Sequence, residues 1–283
     1  MVLVDQKDVS IFADGLDHPE CVAWGPDGFL YAGGEAGQIY RISLSGEVIE
    51  ITSTSGFILG VTLDGFGNIY ACDMKRRAVL RIDRDANIST FSEGTRDRAM
   101  IQPNFAVFDA SGNLYVSDSG DWHGDNGCLF VVTPTGETRV ASNHVRAFPN
   151  GMALSPDGEF LYVVLSNLPG VVRLPISKDG NFGSPQPVIE LPGRVPDGLA
   201  FDRDDGLYIS CYTPDVIYRL SSTGKLETVI EDSERTLIAS PTNLCFAGAD
   251  LSFMIVANLC GWHLIKFRGP VPGRALHYPT TAK

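Results

Sequence analysis

Residues 20–31 read Glu20-Cys-Val-Ala-Trp-Gly-Pro-Asp-Gly-Phe-Leu-Tyr31: an acid, a short apolar run, a tight Asp-Gly turn, then a second apolar run ending on Tyr. Asp-Gly between apolar runs marks a β-hairpin, because these residues take the turn's backbone angles with little strain. The phrase returns at residues 59–70, 104–115, 150–162, 197–208 and 243–254. Its openings are Glu20, Leu59, Asn104, Asn150, Asp197 and Asn243, so successive steps are 39, 45, 46, 47 and 46 residues. A fixed period in this range, with strand-like content throughout, is the signature of a β-propeller with about four strands per blade. Third strands follow at residues 38–42, 79–82, 129–132, 171–174 and 216–220, and a fourth strand of the first copy lies near 47–52.

The sixth copy runs short of strands. Residues 263–267 are followed by Gly269-Pro-Val-Pro-Gly273, a poor strand because Pro removes ladder donors. The unassigned apolar run at residues 9–13 fills the missing place. A strand from the opposite terminus closes the ring without a seam. The expected fold is therefore all-β: a six-bladed β-propeller with four-stranded blades, closed by an N-terminal strand, as one domain over residues 1–283.

Composition narrows the function classes. The net charge of −12 argues against nucleic acid and against an anionic membrane surface, both of which call for basic patches. It is compatible with binding a cation. The first residues lack the basic and apolar segments of a signal peptide, and no apolar run approaches the roughly 20 residues that cross a bilayer. Cys21, Cys72, Cys128, Cys211, Cys245 and Cys260 form no C-x-x-C and read as small core residues in a reducing compartment. The expectation is a cytoplasmic protein, monomeric or weakly self-associating, acting on a small molecule.

The repeat's opening residues carry the chemistry. In a propeller the innermost strand of each blade begins at the central channel, so equivalent positions converge on one axis. Glu20, Asn104, Asn150 and Asp197 would meet there: two carboxylates and two amides, a hard all-oxygen set. Such a set suits Ca²⁺ first, with Mg²⁺ or Mn²⁺ compatible and Zn²⁺ less natural without His or Cys. Each of the four follows a proline, namely Pro19, Pro103, Pro149 or Pro196, which restrains how the side chain is presented. Asn243 shares the repeat position but reads better as a turn residue bonding backbone groups. Leu59 makes one wall apolar. None of the five histidines recurs at the repeat position. Ser119 lacks a G-x-S-x-G setting, which gives no support to a serine-hydrolase elbow.

At these residues the chain resembles the SMP-30/gluconolactonase/luciferin-regenerating family of six-bladed propellers. The motifs that carry the resemblance are His18-Pro-Glu-Cys-Val-Ala-Trp24, Pro149-Asn-Gly-Met-Ala-Leu-Ser-Pro-Asp-Gly158 and Val195-Pro-Asp-Gly-Leu-Ala-Phe-Asp202, which runs on to Ile209-Ser-Cys-Tyr212. Pro241-Thr-Asn-Leu-Cys-Phe-Ala-Gly248 is similar to the family's last blade. The resemblance covers residues 9–276 or so. It implies a divalent metal held by Glu20, Asn150 and Asp197, with Asp197 also taking and returning a proton. Asn104 matches a family Asn that touches substrate, and in phosphotriesterase-like and paraoxonase-like propellers an Asn here ligates calcium.

Two departures are visible. Family members that use aldonolactones carry an Arg two residues before that Asn, where this chain has Gln102. The acidic sugar-contacting residue of the next loop has only Asp121 and Trp122 as local candidates. Gln102, Asn104, Asp121 and Trp122 are thus the expected substrate contacts, and the departures favour lactones less polar than gluconolactone.

The implied reaction is cation-assisted hydrolysis of a lactone, with a water as nucleophile. Asp197, or alternatively Asp118 or Asp121, would serve as base. One alternative is a calcium-dependent phosphotriesterase or arylesterase on the same site. The other is a non-enzymatic interaction platform braced by a structural calcium, since fold never fixes function.

Overall fold

The computed structural model describes residues 2–177 and 180–280, so both ends of the 1–283 range lie outside the described residues. Six four-stranded antiparallel sheets form the blades of a β-propeller, as the repeat requires. Their innermost strands are Val22–Trp24, Ile58–Leu63, Pro103–Phe108, Pro149–Leu154, Val195–Phe201 and Pro241–Ala247. Each packs beside the next, and the last returns to the first. In the sixth blade the order runs Pro241–Ala247, Phe253–Asn258, His263–Arg268, then Ser10–Asp14 from the other end of the chain. Ser10 pairs with Lys266 and Asp14 with His263, so the N-terminal strand closes the ring.

The tyrosine of the repeat has a specific task. Tyr31 Oη donates to the Asp27 carboxylate at 2.8 Å, and Tyr115 Oη to Asp109 at 3.1 Å. Each hydroxyl thereby ties the strand to its own Asp-Gly turn, while the ring fills the space between blades.

The apolar core is divided among the blade interfaces rather than gathered at one centre. Six buried clusters lie around the ring, each straddling two neighbouring blades. One joins Cys21, Ala23 and Ile39 of the first blade to Val61, Ile69 and Leu80 of the second. Another joins Ala13 and Leu16 beside the closing strand to Tyr40 of the first blade and Ile255 of the sixth. Among the described residues all six cysteines are free, and five are buried; Cys260 is exposed.

Glycines let the inner strands approach each other closely. A Cβ at Gly151 would collide with Asp197 O and stand 2.7 Å from Gly198 Cα. One at Gly198 would meet Thr242 O at 2.7 Å, and one at Gly60 would collide with Asn104 O. We expect Gly151→Ala to cost about 1–3 kcal/mol of stability, because overpacking against backbone cannot be relieved by a rotamer change. Urea unfolding of the variant against the parent checks this, and a loss under about 0.5 kcal/mol would show that the blades have slack at the axis.

Candidate functional site

Each innermost strand from the second blade to the sixth breaks its ladder near its start, the fifth at two successive steps. In the second blade Ile58 pairs with Asp73 and Gly60 with Cys72, leaving Leu59 between them. Pro103 pairs with Asp118 and Phe105 with Ser117, leaving Asn104. The gaps in the next three blades hold Asn150–Gly151, Asp197–Gly198 and Thr242–Asn243. Such a bulge bends the strand and re-aims a side chain. A proline before the bulge is tolerated because the innermost strand has one edge unpaired.

This register corrects the sequence reading by one residue in the sixth blade. Pro149, Pro196 and Pro241 are in equivalent pairs, so Thr242 aligns with Asn150 and Asp197, and Asn243 aligns with Gly151 and Gly198. The glycine contacts agree, since Gly151 faces Asp197 O and Gly198 faces Thr242 O. Counting back from the second strand missed this because the sixth blade has one more paired residue between bulge and turn than the fifth. Thr242 is buried and its Oγ1 donates to Ala257 O at 3.4 Å. Asn243 is 4% exposed, and among the described residues none hydrogen-bonds its carboxamide, so the expected turn bonds are not made.

Glu20 and Asp197 form the acidic heart of the channel. Glu20 Oε2 is buried and has no hydrogen-bond partner. Burial, and then the Asp197 charge, push the Glu20 carboxyl well above the usual carboxylate range. Burial likewise pushes Asp197 up to about 7, opposed by the Asn150 amide beside it. Asn150 Nδ2 also donates to Ser166 Oγ at 3.3 Å, and Ser166 Oγ donates to Pro196 O at 2.7 Å. The amide nitrogen is thereby occupied, and the carbonyl oxygen remains as an acceptor. Asn104 is 5% exposed and its side chain has no hydrogen bond among the described residues.

Three serines on the second strands, or just after them, tie one blade to the next. Ser119 Oγ donates to Pro149 O at 2.7 Å, Ser166 Oγ to Pro196 O at 2.7 Å, and Ser210 Oγ to Thr242 O. Ser119 is buried in this structural role, in agreement with the absence of a nucleophile motif. Sequence reasoning missed the set because the serines lie at varying distances from the repeat's opening.

Asp118 is also fully buried. Its two oxygens accept from Ile101 N at 2.9 Å and Gln102 N at 2.6 Å. It therefore holds the Gln102 segment in place. Gln102 O accepts from Ser119 N at 2.9 Å, and its side chain has no hydrogen bond among the described residues.

Asp121 is spent within its own loop, where Asn126 Nδ2 donates to its Oδ2 at 2.8 Å. The structure shows no bond between it and the four ring residues. Trp122 is 42% exposed and meets Phe148 edge-on at 4.6 Å, two residues before Asn150. Its loop thus leans toward the fourth blade's entry to the channel. His123 is exposed on the same loop, its ring centre 6.2 Å from that of Trp122.

Beside Glu20 lies a polar cluster that the sequence reading underrated. His18 Nδ1 is 2.8 Å from Asp17 Oδ1 and 3.0 Å from Glu35 Oε2, and its ring lies 4.3 Å from that of Trp262. Asp17, His18 and Glu35 are the one group of His, Cys, Asp or Glu among the described residues that could together hold an ion. Glu35 and Cys260 both contribute to raising Glu20. Burial and Cys260 raise the Tyr212 hydroxyl too, which places Tyr212 in the same neighbourhood. The only sequence signal for Tyr212 was the run Ile209-Ser-Cys-Tyr212; Glu35, Cys260 and Trp262 had none.

A divalent cation fits this donor set on two observations. Among the described residues a buried carboxylate oxygen lacks any donor, and burial makes both Glu20 and Asp197 costly to ionise, with the Asp197 charge adding to the cost at Glu20, in a way that a cation would reverse. Among the described residues no helix is long and apolar enough to cross a membrane.

Known proteins bear on this geometry. The lactonase drp35 of Staphylococcus saprophyticus is 30% identical over 111 residues, which spans 38% of this chain and 34% of that protein's length. A gluconolactonase from Xanthomonas campestris superposes with a TM-score of 0.80 at 20% identity, covering 93% of this chain and 89% of that one. The calcium-binding protein regucalcin from Agrobacterium tumefaciens superposes with a TM-score of 0.78 at 16% identity, covering 95% and 96%. At these identities the superpositions establish the shared fold. The sequence pattern described as SMP-30/Gluconolactonase/LRE-like region matches residues 18–259, and the chain belongs to that family.

Proposed function

We propose that this protein is a lactonase-type hydrolase that uses a divalent cation, Ca²⁺ foremost, at the channel entrance. The observation that carries the reading is Glu20 Oε2, buried without a donor beside the second carboxylate, Asp197. The family, the lactonase relative and the gluconolactonase neighbour support it. The calcium-binding regucalcin neighbour supports the choice of ion. A pure interaction platform has no use for two carboxylates whose ionisation is opposed by burial. The aryl-ester and phosphotriester reading shares the ion.

Glu20, Asn104, Asn150 and Asp197 would hold the cation. Once bound, it supplies Lewis-acid polarisation of the substrate carbonyl and stabilises charge on the developing oxyanion. Asp197 has a carboxyl pushed up to about 7, close to neutral pH. A bound cation would lower that affinity, and the ionised Asp197 would take a proton from the attacking water and return it to the alkoxide released by ring opening. Ser166 orients the Asn150 amide. Asp118 sets the Gln102 segment, and Trp122 with Phe148 forms an aromatic flank. Leu59, 5% exposed at the ring position of the second blade, adds an apolar side.

Glu20→Gln and Asp197→Asn are each expected to lower lactone hydrolysis at least 10³-fold while leaving the fold intact, because the ladders do not depend on either carboxylate. Turnover with an aliphatic lactone and far-ultraviolet circular dichroism on the same samples test this. Near-parent rates in both variants would place the chemistry elsewhere.

Proton linkage gives a second test. Both carboxyls hold protons more tightly in the folded metal-free chain than in the unfolded one. The unfolded state therefore binds fewer protons between about pH 4 and pH 7, and stability of the metal-free protein declines as pH rises through that window. The cation binds the ionised forms, so acid opposes it. The rise in Tm on adding Ca²⁺ should be larger at about pH 8 than at about pH 5.5. Equal gains at the two values would detach the cation from these carboxyls.

Substrate choice provides a third. Gln102 offers a neutral amide where an Arg would offer a cationic fork. With Leu59 and Trp122 nearby, kcat/KM for an aliphatic or aromatic lactone should exceed that for glucono-1,5-lactone by about tenfold, the worth of one or two methylenes in an apolar pocket. A preference for gluconolactone that survives Gln102→Ala would overturn this assignment of the pocket.

A further inference from the structure

Two of the chain's three tryptophans are exposed, Trp122 by 42% and Trp262 by 50%. Leaving so large an apolar side chain in water forgoes burial that folding would otherwise gain. Their positions match. Trp122 is the fourth residue after Asp118, which ends the second strand of the third blade, Leu114–Asp118. Trp262 is the fourth residue after Asn258, which ends the second strand of the sixth, Phe253–Asn258. Second strands run antiparallel to the innermost ones, so both loops lie at the end of the propeller where the innermost strands begin. The oxygen ring sits at that end. Ser119 Oγ, on the Trp122 loop, donates to Pro149 O at 2.7 Å, beside Asn150. Cys260, on the Trp262 loop, adds to the raising of the Glu20 carboxyl.

Their partners match as well. Each indole leans on the entry segment of the following blade. Trp122 meets Phe148 edge-on with ring centres 4.6 Å apart, and Trp262 lies tilted on His18 at 4.3 Å. Phe148-Pro149-Asn150 and His18-Pro19-Glu20 occupy the same place in the repeat, so each partner stands two residues before a member of the oxygen ring. Phe148 has φ +57°, His18 +41° and Trp262 itself +58°. Bulky residues rarely take this left-handed conformation. It persists where the surroundings over-determine it, and it gathers at ligand clamps. Both partners are fixed. Phe148 is buried, and His18 Nδ1 lies 2.8 Å from Asp17 Oδ1 and 3.0 Å from Glu35 Oε2.

The two pairs stand on opposite sides of the channel. The innermost strands contact one another in order from the first blade to the sixth and back to the first. In a ring of six, the third blade is opposite the sixth and the fourth is opposite the first. One pair sits where the third blade meets the fourth, and the other where the sixth meets the first. The mouth above Glu20 and Asn150 is therefore flanked by an exposed indole on each side.

We propose that Trp122 and Trp262 are the two jaws of an aromatic clamp over the channel entrance, which grips a planar ring of the ligand while its reacting group lies at the oxygen ring. Indoles suit a flat π-system, because it can stack offset or edge-on against each of them. A puckered saturated ring offers only its area. That the gripped molecule is a lactone rests on the lactonase reading; that a planar ring binds between the tryptophans does not.

The test begins with calorimetric titration of the full chain with 2-naphthol and, separately, with decahydro-2-naphthol, a flat and a puckered bicycle of the same carbon skeleton. 2-Naphthol should bind about tenfold more tightly, the worth of two aromatic pairs. Trp122→Ala and Trp262→Ala should each weaken 2-naphthol about threefold or more, the worth of one pair, and change decahydro-2-naphthol less. Trp122→Phe and Trp262→Phe should keep part of the preference. Turnover is then compared for δ-valerolactone carrying a δ-phenyl or a δ-cyclohexyl group. Both alanine variants should lower the phenyl-to-cyclohexyl ratio of kcat/KM, chiefly through KM. The proposal is overturned if the parent binds neither naphthol or binds both equally, or if either alanine variant keeps the parent's affinity for 2-naphthol. It is also overturned if the lactones are hydrolysed and their ratio is unchanged in both variants. Tryptophan-dependent binding of 2-naphthol without turnover of any lactone would sink the lactonase reading and uphold the clamp.

Discussion

Backbone touches backbone at the propeller axis, and most of the functional geometry follows from that crowding. The carbonyl oxygens of Asn104, Asp197 and Thr242 lie against Gly60, Gly151 and Gly198 of the preceding blades, with no room for a Cβ. Inner strands that approach so closely cannot slide relative to one another without collision. The serine ties at Pro149, Pro196 and Thr242 lock the same level from the second strands. Rigid placement of loop-borne functional groups on a scaffold usually depends on long packed elements. Here it depends on three glycines and three hydroxyls at one height on the axis.

The rigidity matters because the charges gathered there oppose each other. Glu20 and Asp197 are both buried, and each is harder to ionise for being so. A loose ring would let the carboxylates turn toward water and recover their solvation. Held in place, they can only take up protons or a cation. The proposed cation therefore follows from confinement as much as from donor type. His18, pinned between Asp17 and Glu35, adds a further polar cluster to the same side of the channel and keeps Glu35 occupied.

Much of this was legible in the sequence, and the rest was hidden for physical reasons. The 39- to 47-residue period gave the blades, and residues 9–13 gave the closing strand to within one residue of Ser10–Asp14. Those signals are local, because hairpin turns and alternating apolar runs are written in contiguous residues. The placement of Asn243 was off by one because the sixth blade pairs Leu244 to Ala247 after its bulge, one residue more than Leu199 to Phe201 of the fifth. The position of a bulge is decided by contact with the neighbouring blade, which no single repeat records. Asp118 was considered as a base because it is acidic and near the mouth, yet its environment spends it on Ile101 and Gln102. Cys260, Trp262 and Glu35 left no trace, since they reach the site from loops whose course depends on the closed ring.

The two ends of the channel are built in opposite ways, and one constraint accounts for both. Around the oxygen ring, bulges break the inner ladders and aim polar side chains at the axis. Beyond it the ladders resume, and Val22, Val61, Ala106, Met152, Leu199 and Leu244 turn into the six apolar clusters between blades. Regular strand geometry thus imposes an apolar lower channel wherever the blades pack tightly. Such a channel, left open, would expose an apolar surface to water. Residues 274–278 cover it, with Tyr278 buried against Trp24 and Pro279 O accepting from Gly65 N at 2.8 Å. The same segment carries Arg274, whose guanidinium pairs with the Asp205 carboxylate. The contrast between acidic oxygens at one end and an apolar lining at the other comes from the same inner strands changing from bulged to regular within a few residues.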